Sequence, residues 1–306
     1  MKQSPSSFPI ILRYARPGML VAGALFFILG TGMAKYLGHP ILWTRFGLGL
    51  ASVLLLQFMS YFFKAYFDLV DASSPLRRMQ RDADDEDQQA TRQIPPQSVL
   101  MLGVTAMTGG AVVTVLLFTI GAINPEVFLF MGFAFLLSYF YAVPPLRLVY
   151  TGYGELVEAI VIANLFPTLA FLLQTGELHR YLGMLTFPLL AIFLAARLAL
   201  SLETYLRNLK YGQKTMMVVL GWQRGMLIHN WLVPIAYLLI GLARVLGLPW
   251  SLTWPALLTI PVGIFEIFQM NQINAGARPG WRLLNFTAVA LLGLTAYLMS
   301  LALWSG

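Results

Sequence analysis

Nine stretches of the chain, residues 18–34, 41–63, 98–120, 125–143, 155–174, 181–200, 226–247, 251–270 and 282–303, are almost continuously apolar. Each is close to the ~20 residues an α-helix needs to cross the hydrocarbon core of a bilayer. The pattern predicts an all-α, polytopic membrane protein with a bundle of nine transmembrane helices. Polar residues collect in two long segments, 64–97 and 201–225, and in shorter ones at 144–154 and 271–281; the alternate connections are short. No polar linker is long enough to mark a second domain, so 1–306 reads as one domain. Lys2, Arg13 and Arg16 precede the first stretch as in a signal peptide, but the eight spans that follow predict a retained helix.

With 58% hydrophobic and 11% charged residues, the chain is far from the roughly one quarter charged of a soluble domain. Its net charge of +7 would suggest a nucleic-acid partner in a soluble protein, but the placement of the basic residues supplies another reason. If the N-terminus is cytoplasmic, the inner segments hold Lys2, Arg13, Arg16, Lys64, Arg77, Arg78, Arg81, Arg92, Arg147, Arg207, Lys210, Lys214, Arg224, Arg278 and Arg282. The outer ones hold only Lys35, Arg45, Arg180 and Arg244, and Arg197 lies within a span. Cytoplasmic loops collect Lys and Arg. The asymmetry therefore predicts N-terminus in and C-terminus out and accounts for the charge with no nucleic-acid partner; the expected location is a bacterial inner membrane or its equivalent. The absence of cysteine removes disulfides, thiolate metal sites and a cysteine nucleophile, and His39, His179 and His229 are too scattered for a ligand cluster. A transporter would place several ionisable groups at mid-membrane. The candidates, Arg197, Glu203 and Glu266, are few, which points instead to a site at the cytoplasmic mouth of the bundle.

If the second helix continues past residue 63, Lys64, Asp68 and Asp71 lie at i, i+4 and i+7 and share a face. Two carboxylates so placed can hold Mg²⁺, which takes carboxylate oxygens together with phosphate and water; equally, Lys64 and Asp68 can form an interfacial ion pair. Both readings stay open. The run Asp82, Asp84, Asp85, Glu86, Asp87 reads as a solvated loop. Glu203, Arg207, Lys210 and Lys214, at i, i+4, i+7 and i+11, form a largely basic stripe if the sixth helix reaches that far. Its cations either grip phosphate or serve topology and anionic headgroups. Gly212 is placed to end that helix. Pro144-Pro145 ends the fourth helix. Arg147 with Tyr139 and Tyr141 either sits at the interface or lines an acceptor pocket, in which Glu155 or Glu158 orients a hydroxyl.

Three blocks resemble the UbiA superfamily of intramembrane aromatic prenyltransferases, and the likeness covers most of the chain. Tyr66-Phe67-Asp68, followed by Arg92-Gln93-Ile94-Pro95, resembles the family's first Asn- and Asp-rich motif. Tyr141-Ala142-Val143-Pro144-Pro145-Leu146-Arg147-Leu148, with Gly152-Tyr153-Gly154-Glu155-Leu156 and Gln174-Thr175-Gly176, is similar to the middle of the naphthoate prenyltransferases. Gly212-Gln213-Lys214-Thr215 with Leu220-Gly221 resembles the tail of the second Asp-rich motif. The resemblance implies transfer of a polyprenyl chain from its diphosphate to an aromatic quinone precursor, with Mg²⁺ held by Asp side chains of both motifs.

The departures are as informative. Lys64 stands at the family's Asn, Ala72 at the second Asp of the first motif with Asp71 one position early, and Thr204 and Asn208 at the two Asp positions of the second. Glu203 points about 100° away from Thr204 on a helix of 3.6 residues per turn. The resemblance carries over Asp68 cleanly, with Asp71 and Asn208 as candidate partners in holding metal; with the chain's own Lys64, Asp68 and Asp71 make the expected catalytic set, and Arg147, Tyr139, Asn208 and the stripe residues Arg207, Lys210 and Lys214 are expected around the substrate. These substitutions suggest a diphosphate held with less help from metal, Lys64 and the stripe supplying positive charge. A catalytically silent relative that only binds isoprenoid lipid is the alternative.

Overall fold

The structure, a computed structural model, describes residues 12, 14–71, 74 and 95–306. The acidic run at 82–87 and Arg92-Gln93-Ile94 of the first motif lie outside the described residues. Nine helices among the described residues are long and apolar enough to span a membrane: α1 (Pro17–Tyr36), α2 (Trp43–Val70), α3 (Pro96–Thr119), α4 (Pro125–Ala142), α5 (Gly154–Thr175), α6 (Arg180–Glu203), α7 (Trp222–Val245), α8 (Trp250–Asn274) and α9 (Trp281–Ser305). All nine predicted stretches are present, and no strand occurs among the described residues.

The helices are not equivalent. In α5 and α6, 83% and 78% of the apolar window is buried, against 17% in α3, so α5 and α6 form the centre and α3 lies at the periphery. Leucines, valines and phenylalanines such as Phe118, Phe128, Leu238 and Phe286 stand exposed on the outer helices, as lipid-facing side chains do where no hydrophobic force drives them inward. α9 returns to α1, where the Trp304 indole donates to the Ile28 carbonyl at 3.1 Å.

Close approach of backbones depends on glycine at one crossing. A Cβ on Gly30 of α1 would lie 2.0 Å from the carbonyl oxygen of Pro167 in α5, a backbone atom that cannot swing aside. Just before that contact α5 widens into a π-turn over Ile160–Leu165, a distortion that often accompanies functional positions. Glu155 and Glu158 lie in the turn and a half that precedes it.

The decisive length is that of α2. It runs to Val70, seven residues beyond the apolar stretch, and Asp71 is its C-cap. α6 by contrast stops at Glu203. Thr204 interrupts it, a short helix Tyr205–Tyr211 follows, and Gly212 closes that helix at φ 73°.

Candidate functional site

The ends of α1, α2, α4, α5 and α6 on one face of the bundle surround a polar cavity of about 430 Å³. Arg16, Lys64, Arg197 and Arg207 line it, with Glu155 the single carboxylate in its wall among the described residues. Tyr141, Gln213 and Thr215 complete the polar lining. The volume lies within the range of small-molecule sites, and the charge within it is predominantly positive.

Two buried carboxylate clusters flank the cavity. In the first, Asp68 lies in the last turn of α2, where the helix dipole already places partial negative charge. Cations compensate. Its Oδ2 accepts from Lys64 Nζ, and its Oδ1 from Arg147 Nη2 and the Tyr150 hydroxyl, each at 2.7 Å. The other fork of Arg147, Nη1, donates to Asp71 Oδ2 at 2.9 Å. Arg147 does this from a left-handed backbone, φ 40°, which costs an L-residue about 1–2 kcal/mol. Tyr150 lies beneath both cations, with Lys64 and Arg147 5.5 and 4.9 Å from its ring centre. Burial and then the Asp68 carboxylate raise the Tyr150 phenol above its ordinary pKa, so it stays a donor.

The second cluster centres on Glu158 of α5. Its Oε1 accepts from Arg16 at 2.6 Å and from the Tyr141 hydroxyl at 2.8 Å, and Arg197 Nη2 lies 3.0 Å from Oε2. Burial works against the charged guanidinium of Arg16, but Glu158, Tyr141 and Tyr61 together more than offset it, and Arg16 remains protonated. The Nε–H groups of Arg197 and Arg147 are buried without an acceptor among the described residues. Glu155 Oε2 accepts from the Met216 amide at 3.0 Å, tying α5 to the segment after Gly212.

Asp68, Asp71, Lys64 and Arg147 therefore meet in one cluster, and Lys64 and Arg207 share the cavity wall. Other predicted site residues lie elsewhere. Tyr139 packs edge-on against Phe63 with ring centres 6.3 Å apart; Tyr141, two residues further along and therefore on roughly the opposite face of the helix, reaches the cavity instead. Asn208 is buried and donates to the Thr204 hydroxyl at 2.9 Å. Because the helix breaks at Thr204 and ends at Gly212, the predicted stripe is not continuous. Glu203 accepts from Asn285 at 2.6 Å, Lys210 lies over the ring of Tyr211, and Lys214 is exposed past the turn. Of the three mid-membrane candidates only Arg197 joins the cavity; Glu266 pairs with His229 at 3.0 Å between α7 and α8. Arg16 and Tyr150 were not singled out by sequence. Arg16 was hidden by its role in the topology count, and its contact with Glu158 is made across 142 residues.

As arranged, the donor set does not fit a divalent ion. Both oxygens of Asp68 already face cations, Asp71 shares Arg147, and Asn208 is bound to Thr204. Among the described residues no three His, Cys, Asp or Glu side chains are grouped to hold a metal.

A second, apolar cavity of about 480 Å³ opens between α2, α3 and α4, with Val53, Met59, Met107, Met131 and Phe135 in its walls. Between the two cavities lies a crevice of about 20 Å³, bounded by Gln57, Ser60, Ser138 and Tyr141. Tyr141 belongs also to the polar cavity, and Ser138 is one turn from Ala134 of the apolar one.

No family model matches the chain. Among curated proteins it is 30% identical over 159 residues to the chloroplastic 2-carboxy-1,4-naphthoquinone phytyltransferase of Arabidopsis thaliana, across 47% of this chain and 40% of that protein. It is 26% identical over 85 residues to the 1,4-dihydroxy-2-naphthoate octaprenyltransferase of Bacillus subtilis (strain 168), across 28% and 27% of the two chains. The matches thus span less than half the length of either relative. Among solved structures, a UbiA homologue from Archaeoglobus fulgidus bound to GPP and Mg²⁺ superposes with a TM-score of 0.67 at 17% identity, covering 95% of this chain and 99% of that one. The nine-span bundle that encloses the cationic cavity has the UbiA fold.

Proposed function

We propose that the chain is an integral-membrane prenyltransferase that moves a polyprenyl group from its diphosphate to an aromatic quinone precursor. The observation that carries this reading is the cavity at one end of the bundle, lined by Arg16, Lys64, Arg197 and Arg207. Clustered Arg and Lys suit a diphosphate, whose departing charge they stabilise as the allylic C–O bond breaks. The ring carbon of the acceptor forms the new bond to the allylic carbon and then loses its proton. The helical walls keep water from the carbocation. The apolar cavity between α2, α3 and α4 supplies walls of the kind an isoprenoid chain requires. Both curated relatives act, by name, on naphthalene-ring acceptors, and the middle block resembles the same group, so a naphthoate is the favoured acceptor class.

The test is direct: purified protein in detergent, supplied with geranyl diphosphate and 1,4-dihydroxy-2-naphthoate, with and without Mg²⁺, is expected to form a prenylated product. Saturable diphosphate binding with no product from naphthoate or benzoate acceptors would leave a silent isoprenoid binder, the reading that the changed Asp positions favour.

The positive-inside asymmetry supports a cytoplasmic site. Because the chain contains no cysteine, single cysteines report sidedness. Lys214→Cys is expected to resist a membrane-impermeant maleimide added to intact cells, and Glu177→Cys to react; the reverse pattern would place the site outside.

A further inference from the structure

The solved relative carries Mg²⁺ with its prenyl diphosphate. We propose that this chain instead holds the diphosphate headgroup by direct contact with its own cationic side chains, with no divalent ion between them. This rests on the prenyl-diphosphate reading of the cavity.

Lys64 is the pivot. It stands where the family motif has Asn, its Nζ lies 2.7 Å from Asp68 Oδ2, and it also lines the cavity. One ammonium group therefore occupies the face of the carboxylate that a metal would need and presents positive charge to the ligand. A divalent ion coordinated by Asp68 would have Lys64 and Arg147 on the same two oxygens, a like-charge arrangement that opposes binding. Asp71 and Asn208, the other ligands the motifs imply, are engaged by Arg147 and Thr204.

The cavity holds what a bare diphosphate needs. Arg207 lines it and pairs with no carboxylate among the described residues. Arg197 lines it with a buried Nε–H that lacks an acceptor among the described residues. Arg16 and Arg197 are oriented by Glu158 without being removed from the wall, and Glu155, the one carboxylate in the lining among the described residues, is turned to the Met216 amide. Guanidinium forks match phosphate oxygens in pairs, which a point-charge metal would otherwise organise.

The experiment is calorimetric binding of geranyl diphosphate to the full chain in detergent, in EDTA and in Mg²⁺, alongside the product assay. Equal affinity within about threefold in the two buffers is expected. Arg207→Gln, at an exposed position of the short helix Tyr205–Tyr211, should weaken binding about tenfold in both, as loss of one charge-assisted hydrogen bond does. Lys64→Asn, which restores the motif residue and frees Asp68 Oδ2, should weaken binding at least tenfold in EDTA and regain most of it with Mg²⁺. Wild-type binding that requires Mg²⁺ while product still forms would overturn the metal-free grip and leave the prenyltransferase reading standing. Indifference of binding to Arg207→Gln and Lys64→Asn would overturn it as well. Absence of binding in both buffers would overturn both.

Discussion

Replacing Arg197 by Ala is expected to lower product formation at least a hundredfold. A cation inside a transmembrane helix costs about 2.5–3.5 kcal/mol on insertion scales, and Arg197 is offset by Glu158 at 3.0 Å with only 18% of its side chain exposed. Its place in the cavity wall puts it where charge develops on the departing diphosphate. Loss of one preorganised donor to a developing anion lowers kcat about 10²–10³-fold. Arg197→Lys keeps the charge but not the fork, so it should recover only part of the rate. Measuring kcat, diphosphate affinity and the thermal midpoint together separates chemistry from folding. If both variants turned over like wild type at an unchanged midpoint, Arg197 would have no part in the site.

Asp68→Asn is expected to destabilise the protein by about 3 kcal/mol in thermal or denaturant unfolding in detergent, even in EDTA. The carboxylate is 5% exposed and holds Lys64, Arg147 and the Tyr150 hydroxyl at once. Removing one partner of a buried ion pair leaves uncompensated charge, at a cost of about 3–5 kcal/mol, and an amide nitrogen would turn donors towards donors. Turnover should fall too, because Lys64 loses the contact that aims it along the cavity wall. A carboxylate whose only task was to bind metal would show no such stability loss in a chelator. Wild-type stability of the variant would therefore refute the anchoring role assigned to Asp68, and wild-type turnover would remove the residue from the site altogether.

The cost at Asp68 explains why two features visible separately in the sequence belong together. Lys64 and Asp68 are four residues apart, so their pairing follows from helical spacing once α2 extends past residue 63. Arg147 is 79 residues from Asp68; only packing of the segment after α4 against the end of α2 brings the guanidinium to both aspartates. The same holds for Glu158, whose partners Arg16 and Arg197 come from α1's N-terminal flank and from the C-terminal part of α6.

Spacing and hydropathy determined the nine spans, because each must satisfy its own backbone hydrogen bonds within the bilayer and so carries its signal locally. They also determined that polar chemistry gathers at one face, and motif likeness placed Asp68, Asp71 and Arg147 there. Tertiary structure decided which charges face one another. Periodicity extrapolated the helix through Lys214, but the backbone breaks at Thr204 and turns at Gly212, and this left Arg207 in the cavity wall while Lys210 and Lys214 diverged. It decided also that Tyr141 rather than Tyr139 enters the cavity, and that Asp68 meets two cations. Such contacts join residues far apart in the chain, and no local spacing encodes them.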